Sequence, residues 1–535
     1  MRSSFLSLLA AVAVVPGLCS LSLRESDEPH VLRLGLKRNR HDDPVGRDRR
    51  RFKRQTVNVE LSGDSHGGEI YSTNLTIGDP PQRVEVTVDT GSSDLWVLST
   101  YNRVCEAQGA RCDSLGTYDP MTSDSSDPLS HRFSIVYGDI SWAEGYYAID
   151  TLTIEDAELP EVQFGVAMSS SIDKGILGIG YTTNVASGYP YPNLPALLVA
   201  NNITSSNAYS LWLNRLGSDE GTILFGGVNT AHYTGELQTL PVVPLEGDTY
   251  VHLWLTLTEL GVESEADDVT EAFNSDPLVV LLDSGATLTY LPADLVLQIY
   301  SALDVHFFEP EQFGYVPCDT YLSGREDYSL TFTFSGLTIR VPLHELILRD
   351  TLWYAGDMLD VEDEESCIFG ILPAADFFPI LGDSFLRSAY VVFDLDNNEI
   401  SMAQANFEPG DDHILEIGEG DDSVPEAKDV EGPVETAPVV TDGTSLVLPS
   451  GFTNEPVFPT RTVTTSVQAE TTVNSDPSVP SDVDDEETNG GDSSEDGEGT
   501  AAAPEETGTD GAALIRWDPL LIVLAMGLAG ISLIS

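Results

Sequence analysis

The sequence predicts a mostly β protein made of two lobes related by an approximate twofold. Three observations predict it. Between Gln55 and Phe407 short apolar runs alternate with turn residues: "VEVTVDT", "FSIVY", "YSLWL", "GTILFGG", "YSLTFTF", "YVVFDL". Only "ALLVANN" and "ADLVLQIYSAL" read as short helices. Second, "VTVDTGSSDLWVLS" (Val86–Ser99) is copied as "VVLLDSGATLTYLP" (Val279–Pro292), an internal repeat of strand, Asp, hydroxyl residue and Gly. Third, an apolar-apolar-Gly element follows each copy, as Ile176-Leu177-Gly178 and as Ile380-Leu381-Gly382.

The repeat places one acid at the end of each apolar strand, Asp89 and Asp283. A lone buried carboxylate is costly unless it is paired or hydrogen-bonded. Two lobes that bring the acids together answer that cost, because neighbouring carboxyls share one proton. The ionised member can take a proton from a water held between them while the protonated member polarises a carbonyl. Such hydrolysis needs no metal and no cofactor. Gly91 and Gly285 allow the tight turns and bring backbone N–H donors to the carboxylates.

The set "VDTGSSDLWV", "YGD", "ILGIG", "DSGATLTYLP" and "PILGDSFLRSAYVVFDLDNNEISMA" resembles the pepsin-family aspartic endopeptidases over essentially all of residues 55–407. It most resembles the GPI-anchored fungal yapsins and the candidapepsins. The resemblance implies a bilobal pepsin-like fold, with an N-terminal lobe at 55–235 and a C-terminal lobe at 236–407. It implies a monomer whose cleft holds an extended peptide or protein substrate. Asp89 and Asp283 match the catalytic pair, and Thr90, Gly91, Ser92, Ser284 and Gly285 match the residues that support it. Phe133–Ile154 matches the flap hairpin, with Tyr137 and Gly138 at its tip and Trp96 steadying the tyrosine through its indole N–H. A lid of this kind excludes water and orients the peptide. Asp139 matches the position at which an acid pairs with a Lys or Arg of the substrate. The chain departs from the pattern at Ala286, where relatives carry Thr or Ser. The lost hydroxyl donor leads us to expect activity at less acidic pH than a pepsin's.

The flanking segments are read from composition. Met1-Arg2, the apolar run Phe5–Val15 and the small residues Gly17 and Cys19 make residues 1–19 a signal peptide. Residues 20–54 are basic: the first 54 residues hold 12 of the chain's 25 Lys and Arg. In a chain of net charge −62 this segment reads as a pro-segment that neutralises the acidic body, cut by a processing protease at Lys53-Arg54. The acidic remainder excludes nucleic acid, whose phosphates need a basic face. Removal of Cys19 leaves Cys105, Cys112, Cys318 and Cys367, an even count that predicts two disulfides. Three connectivities are open, of which the local pairs Cys105–Cys112 and Cys318–Cys367 are preferred.

Residues 408–510 are rich in Asp, Glu, Ser, Thr, Pro and Gly and are expected to be a disordered, O-glycosylated stalk. Asp510 and Gly511, a spacer and the apolar tail Leu520–Ser535 match a GPI-anchor signal, so 511–535 is expected to be removed on attachment. The alternative, a membrane-spanning helix, needs about 20 apolar residues. Asn74 and Asn202 fit the N-glycosylation pattern. The expected protein is therefore a secreted endopeptidase held at the plasma membrane or cell wall. The alternative is an idle pepsin-like module for binding or wall structure. Such modules usually lose an Asp or its Gly, and none is lost here.

Overall fold

Alternation of apolar and polar residues builds most strands. In "QRVEVTVD" Val84, Val86 and Val88 face inward, while Arg83 and Glu85 lie on the other side. The computed structural model describes residues 30–39, 70–107, 110–138, 141–155, 157–218, 220–273, 276–308, 313–348, 366–374 and 378–435. All belong to one unit, Met1–Pro456. The expected signal peptide, Lys53-Arg54, Asp139, the stalk beyond residue 435, Asp510, Gly511 and the apolar tail lie outside the described residues.

The first half supplies eight strands in chain order: β1 (Leu32–Asn39), β2 (Ile70–Ile77), β3 (Gln82–Asp89), β4 (Leu95–Leu98), β5 (Asp127–Val136), β6 (Trp142–Ile154), β7 (Ala157–Ser170) and β8 (Gly175–Gly178). They form one end of a fourteen-stranded sheet whose other end includes Ala208–Trp212, Glu220–Phe225, Ala389–Asp394 and Glu399–Ala405. The second half adds a five-stranded sheet and two four-stranded sheets. The fold is mostly β, as expected. The two expected helices are present, at Leu194–Ala200 and Ala293–Leu303. The second buries Leu295, Val296, Ile299, Tyr300 and Leu303 along one face.

Strand β1 falls inside the basic segment 20–54, where charge had obscured a period-two pattern. Leu32, Leu34 and Leu36 are buried while Arg33, Gly35 and Lys37 are exposed. β1 lies between β2 and Glu220–Phe225 and so joins β2–β8 to the rest of the fourteen-stranded sheet. Arg38 at its end is buried beside the buried ion pair Glu345–Arg387, whose Nε–Oε2 distance is 2.7 Å. Burial and Arg387 push the Arg38 guanidinium down to about 10.

The C-terminal boundary differs from expectation. Residues 408–435 are not stalk: Ile414–Glu416 pairs with Gly227–Asn229, and Lys428–Asp429 pairs with Gln238 and Thr239. Ile417 and Val424 join a core cluster with Trp212, Tyr390 and Val392. Sparse apolar residues suffice here because a preformed surface receives them. Each half carries one disulfide, Cys105–Cys112 with Cα atoms 5.6 Å apart and Cys318–Cys367 with Cα atoms 5.1 Å apart.

Candidate active site

Each acid ends a buried strand that pairs in parallel with the apolar-apolar-Gly element of its own half. Val88 and Asp89 lie opposite Leu177 and Gly178; Leu281 and Leu282 lie opposite Ile380 and Leu381. The glycines are required by close approach. A Cβ on Gly178 would lie 2.5 Å from Ser93 N, and one on Gly382 would lie 2.3 Å from Leu288 O. Each acid-bearing loop is thus seated directly on its Gly.

The two turns are tied together by the residues that follow the acids. Thr90 Oγ1 donates to Leu282 O at 2.9 Å and accepts from Ser284 N at 2.9 Å. Ser284 Oγ donates to Val88 O at 3.1 Å and accepts from Thr90 N at 3.2 Å. All four bonds are buried and cross between the halves, each contributing about 1 kcal/mol. They bring the carboxyls of Asp89 and Asp283, 1% and 5% exposed, to one place. A Cβ on Gly91 would lie 2.7 Å from Asp283 Oδ1, and one on Gly285 would lie 2.6 Å from Asp89 Oδ1. Each turn's glycine is therefore the floor for the opposite turn's acid.

The immediate shells of the acids differ. Gly91 N donates to Asp89 Oδ1 at 2.8 Å, as Gly285 N does to Asp283 Oδ1 at 2.8 Å. Ser92 Oγ then donates to Asp89 Oδ2 at 2.6 Å, whereas Ala286, in the matching position, has no hydroxyl.

The hairpin of β5 and β6 carries Tyr137 and Gly138 to its tip, closed by Tyr137 N donating to Ser141 O at 2.9 Å. Trp96 Nε1 donates to Tyr137 Oη at 2.7 Å from a fully buried ring. Beneath it Phe133 packs edge-on against Tyr147, and Tyr147 against Tyr191. Those tyrosines lead to a residue that the sequence did not single out. Asp94 is fully buried and accepts from Tyr147 Oη at 2.8 Å, Tyr191 Oη at 2.8 Å and Ala186 N at 2.7 Å. Burial pushes its carboxyl up, and these donors pull it back. Asp94 joins the acid-bearing loop, the hairpin strand β6 and the loop after Gly178. The available signal was a charged residue at a fully buried position of an apolar frame; its partners lie too far along the chain to be read. Asn74 and Asn202 are exposed, on β2 and just beyond the helix Leu194–Ala200.

The family model for eukaryotic aspartyl proteases matches residues 70–405. The chain is 45% identical over 468 residues to "Probable aspartic-type endopeptidase opsB" of Aspergillus oryzae, covering 85% of this chain and 93% of that protein. It is 40% identical to the OPSB protein of Arthroderma benhamiae, covering 80% of this chain and 86% of that one. It is 38% identical to Candidapepsin-3 of Candida albicans, covering 66% of this chain and 83% of that one. The matched span contains both acid-bearing turns, the hairpin and the two apolar-apolar-Gly elements, and on this match the chain belongs to the eukaryotic aspartyl protease family, as an aspartic-type endopeptidase.

Proposed function

We propose that this endopeptidase hydrolyses peptide bonds with a water activated by Asp89 and Asp283. The observation that carries the reading is the mutual approach of the two turns, each glycine leaving room for the other half's carboxyl. In this reading the two carboxyls work as one acid–base pair with a single proton, which belongs to the pair rather than to either residue. The ionised partner takes the water's proton as oxygen attacks the scissile carbonyl, and the protonated partner donates to the carbonyl oxygen. The proton taken from water then passes to the amide nitrogen as the C–N bond breaks, and the hydroxyl returns its proton to the pair as the carbonyl re-forms. Gly91 N, Ser92 Oγ and Gly285 N hold the carboxylates in orientation. Tyr137, braced by Trp96, covers an extended substrate and keeps bulk water out.

In this reading residues 1–19 direct secretion and the basic segment 20–54 keeps the chain a zymogen until cleavage at Lys53-Arg54. The C-terminal tail is exchanged for a GPI anchor at Asp510 or Gly511, holding a glycosylated monomer at the plasma membrane or cell wall. Asp139 at the flap favours Lys or Arg beside the cleaved bond, through a charge-assisted hydrogen bond. Secretion is supported by similarity to a protein named "Secreted aspartic protease 3". The test is digestion of a peptide library by the secreted protein, with Asp89→Asn as control. Pepstatin-sensitive cleavage in acid is expected, enriched at basic residues. No cleavage at any acid pH would overturn the enzyme mechanism; cleavage without basic enrichment would overturn only the role of Asp139.

A further inference from the structure

The residues that follow the family match meet the strand inside the basic segment. Ile414–Glu416 pairs antiparallel with Gly227–Asn229, and Ile417 N donates to Gly226 O at 2.8 Å. On the other side of the same short stretch runs the entry to β1, since Leu32 is the partner of Phe225. A Cβ on Gly226 would lie 2.9 Å from His30 O, and one on Gly227 would lie 2.7 Å from Val31 Cγ1.

Two carboxylates of the extension close over this entry. Asp412 Oδ2 lies 2.7 Å from Arg33 Nη1, while its Oδ1 accepts from Asn229 Nδ2 at 2.8 Å. Glu416 Oε2 accepts from His30 N at 3.1 Å, and its Oε1 lies 3.5 Å from His30 Nδ1 and accepts from Ser205 Oγ at 2.5 Å. Each carboxylate is thus aimed by a hydrogen bond from the body and turns an oxygen to the basic strand. The arrangement also accounts for order in a stretch whose composition reads as stalk.

We propose that residues 408–435 form an acidic clasp, a binding site for the basic strand His30–Asn39 that slows its departure once Lys53-Arg54 is cut. The inference rests on the reading of 20–54 as a pro-segment. Arg33 and Asp412 are 42% and 44% exposed, so neither contact is strong alone. Fixed by Asn229 and Ser205, the two act together on a strand end, where local opening begins.

The test uses the full-length secreted chain, uncut, followed by amide hydrogen exchange. In an Asp412→Asn, Glu416→Gln double variant, exchange across residues 31–39 is expected to quicken about fivefold at low salt. The charge-swapped pair Arg33→Glu with Asp412→Arg is expected to return toward the wild-type rate. Unchanged exchange at 31–39 in the double variant overturns the clasp. So does a general loosening of 414–417 that the charge swap fails to repair. N-terminal sequencing of the mature protein tests the underlying reading separately: a start at Gln55 is expected, and retention of residues 30–39 in the mature chain overturns the pro-segment whatever the exchange result.

Discussion

The two acid-bearing turns share a backbone plan and differ in what surrounds it. Counting from each acid, Ser92 stands opposite Ala286, and Asp94 opposite Leu288. Asp94 and Leu288 are both fully buried, yet one gathers three donors while the other packs among apolar neighbours. At this position the first turn is held by polar bonds and the second by packing. In the first half the acid-bearing loop is bonded, through Asp94 and Tyr147, to strand β6 of the hairpin that carries Tyr137. The asymmetry follows the hairpin: in the proposed role as a closing lid it needs a directional tether at its base, which apolar packing does not supply.

The largest test of the comparison removes the feature the halves share. Asp89→Asn and Asp283→Asn are each expected to lower kcat by about 10³-fold or more while leaving thermal melting nearly unchanged. Two variants of unequal activity, measured by peptide cleavage, would show that the two acids are not equivalent. Next, Asp94→Leu copies the second half into the first. It strands two buried phenols and one N–H, so a loss of roughly 3–5 kcal/mol in stability is expected, with KM rising more than kcat falls. A melting temperature that stays put would end the claim that Asp94 is the flap's tether.

The disulfides give a comparison of similar size. Cys318–Cys367 spans a separation of 49 residues against 7 for Cys105–Cys112. On chain entropy the first constrains the unfolded chain by about 4 kcal/mol and the second by about 2. Replacing each pair with serine and measuring denaturant midpoints checks the order.

Ala286→Thr addresses the asymmetry of the acids directly. A hydroxyl donor for Asp283 is expected to move the acid limb of the pH–rate profile to lower pH. The change is about tenfold in rate at the affected pH, the size of one hydrogen bond to a charged group. An unmoved profile in Ala286→Thr would remove the pH argument. The smallest effect concerns Glu399, held up at about 7 by burial and by the acids Asp394, Asp429, Asp422 and Asp421. Because its folded value exceeds its ordinary 4.5, the unfolded chain ionises first, and stability falls as pH rises between 4.5 and about 7. Glu399→Gln is expected to flatten that fall in melting temperature by only a little, since its solvated part is screened.

Much of the site was legible because its logic is local. An Asp at a strand end, a Gly two residues on and a repeat of the same frame are all contained in a few residues, and Gly178 and Gly382 announce themselves in the same way. Asp94 was not, although it sits in the quoted motif, because its donors Tyr147 and Tyr191 come from other segments. β1 was hidden by Arg33, Lys37 and Arg38, which dominate composition while Leu32, Leu34 and Leu36 set the period. The ordered stretch 408–435 was missed for the opposite reason. Ile417 and Val424 are too few to form a core of their own, and the waiting face of Trp212 and Tyr390 gives them somewhere to go.

That stretch also has a mechanical meaning. Val434 N is bonded to Ser335 Oγ, Lys428–Asp429 lies parallel to Gln238–Thr239, and Ile414–Glu416 lies against Gly227–Asn229. A pull on the chain from beyond Glu435 meets these short attachments one after another before any load reaches Glu399–Ala405 and the sheet behind it. Laid out in this way, the extension would work as a cable clamp, peeling by stages ahead of the strands that hold the acids.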